Sequence, residues 1–252
     1  MIIMRSYPMK SNYQQIRGLL IWSYVRNKSL IILCSIVQFF MSIALIYGYS
    51  LIVEPRTVEA QLYLASGAVT LGMITIGCTI AAQTISSAKQ DGLVTYLKTL
   101  PVKRSFILFS ELFIWAIVSF LGVILSLITV FVKFQFLPQL SIGSFGLLWL
   151  ILLTMLSIGF AIAYSTSPSA MSLITQLILM IGLLFSPIMF PADRIPAFLL
   201  RLYSLLPFVP AGNFIRLSVY QDYPVAARDI FVLLFWLLLT SSLSVWQLHR
   251  KV

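Results

Sequence analysis

The chain has 252 residues, 60% of them hydrophobic and 10% charged, whereas a water-soluble domain carries about 45–50% apolar and about 25% charged residues. So little polar surface cannot cover a core of this size in water, and the excess of Leu, Ile, Phe and Val must face lipid. Seventeen Lys and Arg against seven Asp and Glu give a formal net charge of +10. The basic residues sit between hydrophobic runs, not along one stripe, which argues for topology determinants and headgroup contacts and against a nucleic-acid partner.

Residues 1–28 carry Arg5, Lys10, Arg17, Arg26 and Lys28 and no acid, a pattern unlike a cleavable secretory leader. Ile16, Leu19, Leu20, Trp22 and Val25 recur at helical spacing among Gln14, Gln15, Arg17 and Arg26, which predicts either an amphipathic helix at the membrane interface or an extension of the first span. Six runs of spanning length follow, at about 29–50, 60–86, 106–132, 143–164, 169–190 and 230–248. In the second, Ala68 and Gly72, then Gly77 and Ala81, stand four apart, as close helix packing requires. Residues 134–192 hold no charge; that is two helices, parted by the Ser165-Thr166-Ser167-Pro168-Ser169 turn. Cys34 and Cys78 both lie in apolar runs and read as buried small hydrophobes, not as a disulfide framework.

Six of the eleven prolines fall between residues 187 and 224, among Asp193, Arg194, Arg201, Arg216 and Asp222. No regular spanning helix tolerates that density of breaks. Ile195, Phe198, Leu199, Leu202, Tyr203, Leu205 and Leu206 nevertheless keep helical spacing, which predicts short helices dipping into or lying on the outer leaflet over 191–227. The expected fold is an all-α integral membrane protein: a single transmembrane domain over 1–252 with six transmembrane helices, an amphipathic N-terminal helix and short re-entrant outer helices. Eleven of the seventeen basic residues lie in the N-terminal segment, the link over 87–104 and the tail, which places both termini in the cytoplasm of a cell membrane.

No catalytic, cofactor-binding or metal-binding constellation is present. The chain lacks H-E-x-x-H, G-x-S-x-G and a Walker A loop, and its one histidine, His249, stands at the inner end of the last span. Glu111 is the sole ionisable residue inside a span; two helical turns after Arg104, it reads as one partner of an interfacial ion pair. With no nucleotide site and no chain of buried carboxylates, uphill transport would need a partner as energy source.

The link over 87–104 is the most informative stretch. Asp91 is placed to cap a short helix whose Leu93, Leu97 and Leu100 share a face, and Pro101 ends it before Lys103 and Arg104. Such a helix suits docking on a soluble protein or lying on headgroups. Asp91-Gly92-Leu93 through Thr99-Leu100-Pro101-Val102-Lys103-Arg104 resembles the E-x-G-T-L-E-x-L-x-x-T-P-V-S-R pattern between the second and third spans of ABC-type-2 transporter permeases. Ser186-Pro187-Ile188-Met189-Phe190-Pro191, Ile195-Pro196 and Leu206-Pro207-Phe208-Val209-Pro210 resemble that family's proline-rich outer hairpin. The acidic residue common two places before the coupling glycine is Gln90 here, a lysine usual early in the third span is replaced around Ser110-Glu111, and the outer motif lacks its asparagine.

The resemblance implies a homo- or heterodimer of permease subunits set on two ABC ATPase subunits, with ATP and Mg on that partner and no cofactor on this chain. The coupling surface would comprise Asp91, Gly92, Leu93, Leu97, Leu100, Pro101, Lys103 and Arg104, and the outer segment Pro187, Pro191, Phe198, Leu202, Pro207 and Pro210. It also implies export, and the lack of charge over 134–192 favours a lipophilic or amphiphilic cargo such as a drug, antibiotic or hydrophobic peptide over a small ion. Export of polysaccharide or glycolipid, an intramembrane enzyme and a non-transporting scaffold remain open alternatives.

Overall fold

A computed structural model describes residues 12–53, 57–139, 141–182, 188, 189, 196–221 and 223–249. Pro187 and Pro191, with residues 192–195 and 222 of the expected outer segment, lie outside the described residues. Among those described, every regular element is helical: α1 (Asn12–Val53), α2 (Val58–Gln90), α3 (Leu93–Thr99), α4 (Arg104–Phe134), α5 (Ile142–Ser165), α6 (Pro168–Met180), α7 (Ala197–Tyr203), α8 (Phe208–Phe214) and α9 (Ala227–His249).

Five of these, α1, α2, α4, α5 and α9, are long and apolar enough to cross a membrane. The expected fifth span at 169–190 is seen only as the shorter apolar helix α6, whose 13 residues rise about 20 Å against a hydrocarbon core of about 30 Å. Ser167 caps α6 by accepting from the Ala170 N–H, and Pro168 occupies its first turn, where a missing N–H costs nothing. The serine-rich stretch thus turns the chain where the sequence places the turn.

At the other end of the chain, the amphipathic segment and first span do not separate. α1 runs unbroken for 42 residues, about 63 Å at helical rise, twice the hydrocarbon thickness. Its start cannot lie in the membrane plane while its middle crosses it, so the segment extends the span. Leu19 and Trp22 at that start pack against α3 and the beginning of α4.

α2 is the axis of the bundle and is almost wholly buried, whereas α1 and α9 leave most of their surface outside. Gly77 and Gly159 make this possible: a methyl at Gly159 would collide with the Gly77 carbonyl, and one at Gly77 would meet the Met155 and Leu156 backbone within 3.0 Å. Only glycines allow α2 and α5 to approach so closely. Here α2 widens into a π-helical segment, Thr75–Ala81, the kind of local irregularity that interrupts a regular hydrogen-bond ladder. The small residues of α2 serve different neighbours, since Gly72 makes room for the Gln38 side chain of α1. Cys34 and Cys78 are buried free thiols, and the Cys78 thiol donates to the Met155 carbonyl at 3.2 Å.

Two seams flank this axis. On one, Gln38 of α1 donates to Ser126 of α4 at 3.2 Å, and Ser42 and Ser126 share a 2.5 Å hydrogen bond. On the other, α5 and α9 join through hydroxyls: Thr154 donates to the Leu233 carbonyl, Thr240 donates to Ser157, and Ser157 meets Ser241 at 2.8 Å. In hydrocarbon there is no hydrophobic drive between helices, so hydrogen bonds of this kind, each about 0.6–2 kcal/mol, specify the pairing.

Candidate functional site

The link between α2 and α4 closes one end of the bundle, the end that carries Lys89, Lys98, Lys103 and Arg104. α2 ends where Gly92 enters the left-handed region at φ 76°, with its N–H reaching the Lys89 carbonyl. A side chain there is strained, and glycine is not. Gly92, not Asp91, is then the N-cap of α3; it supplies no side-chain cap, and Asp91 is the C-cap of α2. The expected Asp91 cap is therefore wrong, because the chain turns through Gly92 in a single residue.

α3 is gripped on two sides. Leu97 is buried with Leu19 and Ile107, while Leu93, Leu100, Trp22 and Phe106 pack around them; Val94 is buried in a separate cluster with Ile85, Leu108 and Tyr164. Of the shared leucine face, Leu97 is thus buried inside the bundle, while Leu93 and Leu100 are half-buried at its edge. What α3 presents outward is Asp91, Gly92, Thr95, Tyr96 and Thr99, followed by Pro101 and Lys103. Tyr96 is 58% exposed, an aromatic at the apex of the link that the leucine pattern did not single out.

Cations lock the link in place. Arg104 donates to the Leu97 and Lys98 carbonyls, satisfying the last turn of α3 with a charge suited to its dipole. Lys89 donates to the Tyr164 and Thr166 carbonyls at 3.1 and 3.0 Å and so does the same for the end of α5. Lys103 stands over the Phe106 ring at 5.5 Å. Burial, then the charges of Arg104 and Lys89, hold the Lys98 ammonium below its ordinary range.

Glu111 pairs with Arg26 of α1 at 2.8 Å and is 3% exposed. Ser23 and Asn27 of α1 stand beside its carboxylate, and Arg26 lies over the Trp22 ring. Glu111 is enclosed between α1 and α4, where an unpaired carboxylate would be costly, and does not reach out toward headgroups. Its partner comes from 85 residues away, beyond the reach of local spacing, and Arg104 is engaged with carbonyls.

At the opposite end, Pro207 caps α8 and Pro210 lies in its first turn, both buried, where proline is tolerated. Phe198 and Leu202 point outward from α7, 70% and 55% exposed. Sequence reasoning passed over Arg216: its guanidinium lies 3.8 Å from the Tyr63 ring centroid and donates to Asn213 at 2.6 Å, and Asn213 reaches Asp229 of α9 at 3.4 Å. One run of side chains thus joins α2, the segment after α8 and α9. His249 is exposed and faces the Val245 carbonyl of its own helix.

Two clefts flank α6. One, of about 370 Å³, is polar and lined by Gln83, Ser86, Ser87 and Gln90 of α2 against Ser169 and Ser172. The other, of about 410 Å³, is apolar and lies between Ile158 and Ile162 of α5, Ile174 and Ile178 of α6, and Trp236 and Leu239 of α9. No cluster of three or more His, Cys, Asp or Glu fit to hold a metal occurs among the described residues.

Residues 16–220 match the family described as ABC-2 type transporter. That match takes in α2 through α8 and nearly all of α1, including the link and the segment carrying Arg216. Among curated proteins none matches the chain.

Proposed function

From the premise that the chain belongs to the ABC-2 type transporter family, and so is a multi-pass membrane component of a transporter, we propose that it is the permease subunit of an ABC exporter. Members of the family work with ABC ATPase subunits. In this reading two ATPase subunits dock on two permease subunits, α3 is the coupling helix, and both termini are cytoplasmic. ATP and Mg are held by the ATPase.

The observation that carries the reading is the way α3 is mounted. Leu97 ties it to α1 and α4, Val94 to the central cluster, and Arg104 to its own last carbonyls. A push on the exposed face of Asp91, Gly92, Tyr96 and Lys103 must therefore displace the spans with it. The polar and apolar clefts beside α6 favour an amphiphilic or lipophilic cargo, with α6 belonging to a sixth span and α7 re-entrant through Phe198 and Leu202.

Purification of the full chain from its native membrane in mild detergent, with mass spectrometry of bound proteins, tests this. A stoichiometric ABC ATPase is the expected result. Retention of no nucleotide-binding protein, after crosslinking in the membrane before extraction, would overturn the permease assignment in favour of an enzyme or scaffold.

A further inference from the structure

The polar cleft between α2 and α6 is built unlike the outer faces of the other spans, which expose Leu, Ile and Phe as lipid requires. Here α2 exposes Gln83, Ser87 and Gln90, and α6 exposes Ser169, Ser172 and Gln176. Steps of three and four residues put each set on one face of its helix. Between the two faces Gln83 donates to Thr175 at 3.2 Å. Gln90 ends α2 beside the link, and Gln83 lies about 10 Å further into the bundle at helical rise. The cleft therefore runs inward from the basic end as far as the Gln83–Thr175 bond.

One group in it is left unsatisfied. Ser86 lines the cleft and is 3% exposed, yet its hydroxyl makes no hydrogen bond within the chain. Burying a hydroxyl unpaired is unfavourable. Around it is a space of about 370 Å³, within the range of about 300–1,000 Å³ that small-molecule sites occupy. The lining brings carboxamides from Gln83 and Gln90, hydroxyls from Ser86, Ser87, Ser169 and Ser172, and no charged side chain. A charged head of either sign would leave water for a lining without a counter-charge, which is costly. Carboxamides and hydroxyls both donate and accept, and so does a hydroxyl on a ligand, which turns to suit whichever it meets. A neutral head with several hydroxyls is the chemistry that fits.

The neighbouring surface indicates what such a head is attached to. Next to its polar face α6 exposes Leu173, Leu177 and Met180, so a hydrocarbon tail has a surface to lie on alongside the cleft.

We propose that the cleft between α2 and α6 binds the neutral, hydroxyl-bearing head of an amphiphile, with its tail along α6, and that this amphiphile is the cargo. Only the last step rests on the transporter reading; the binding site requires no more than that the bundle sits in a membrane.

Cysteine protection on the full chain in lipid nanodiscs tests it. Ser172→Cys places a thiol in the cleft, and Cys34 and Cys78 are buried, so a water-soluble maleimide reports on the new thiol. Octyl glucoside, octyl sulfate and octyltrimethylammonium, added at equal concentration below that which dissolves the disc, share a tail and differ in the head. Octyl glucoside should slow the labelling of Ser172→Cys, the two charged compounds should not, and Thr99→Cys on the outer face of α3 should be labelled at one rate throughout. Ser86→Ala should raise the half-protecting concentration about fivefold, the scale of one neutral hydrogen bond. Its thermal midpoint should not fall, because the hydroxyl removed has no partner in the chain. Gln90→Leu is a second variant expected to weaken protection. Equal protection by all three compounds, protection by none, or indifference to both variants would overturn the site. A disulfide joining two Ser172→Cys chains, with no protection by octyl glucoside, would overturn it in favour of a contact between copies. Protection by octyl glucoside in a chain that retains no ATPase would keep the site and overturn only the cargo step. ATPase retention without protection would overturn the head-group assignment and leave the permease assignment standing.

Discussion

The two ends of the bundle hold their charges in different ways. At the basic end Lys89 and Arg104 bind backbone carbonyls, and Glu111 is enclosed with Arg26. At the opposite end Arg216 rests on a ring and an amide, with Asp229 reached only through Asn213. Carbonyls at helix ends move only when the helices move, so the first arrangement transmits displacement. Contacts between side chains can separate by single rotamer changes without unwinding a helix, so the second can open. The comparison fits a protein pushed at one end and released at the other.

The largest effect should come from breaking the basic end where it is most enclosed. Glu111→Ala leaves Arg26 unpaired between α1 and α4, and removal of one partner of a buried pair costs about 3 kcal/mol. A marked fall in the thermal midpoint of the detergent-solubilised protein checks this. Arg216→Ala should cost less, about 1–2 kcal/mol for the cation–π contact and its hydrogen bond, yet should alter transport more than Glu111→Gln does. If Arg216→Ala proves more destabilising than Glu111→Ala, the contrast between a firm end and a yielding end is lost.

Gly92→Ala comes next. Holding a β-carbon in the left-handed region costs about 1 kcal/mol, and nothing lies within 4 Å of the position to add a clash. Its thermal shift should be small, while the tilt of α3 relative to α2 should change. A spin-label distance between the link and the end of α5 measures that tilt; an unchanged distance would mean that the glycine does not set the geometry of the link.

The sequence makes much of this legible, and what it hides has a common cause. Charge-free runs mark where helices cross, and the Ser165–Ser169 cluster and Pro101 mark where the chain turns, because these signals are local. The pairing of Glu111 with Arg26, of Arg216 with Tyr63 and of Gly77 with Gly159 joins residues far apart in the chain, and no spacing rule records them. The leucine face of α3 is visible in the sequence, but amphipathicity is the same whether a helix docks inward or outward. The continuity of α1 is hidden for a related reason: Arg26 and Lys28 interrupt the hydropathy without interrupting the helix, and the charge of Arg26 is offset by Glu111.

The smallest effect on the fold should fall at Tyr96, which the proposed docking puts at the centre of the contact. Tyr96 is exposed on the outer face of α3, so Tyr96→Ala should leave stability within about 0.5 kcal/mol. Exposed tyrosines that anchor a partner are worth far more than their neighbours, and truncation of one weakens an interface about tenfold or more. Leu97→Asp cannot make this distinction, since Leu97 is buried against Leu19 and Ile107 and its loss would dislodge α3 itself. Tyr96→Ala and Leu97→Asp should therefore differ in kind: the first keeps the thermal midpoint and loses the ATPase, the second loses both. Full ATPase retention by Tyr96→Ala would place the contact elsewhere on the link, on Asp91 or Lys103, and would leave α3 a brace between α1 and α4 with no partner on its apex.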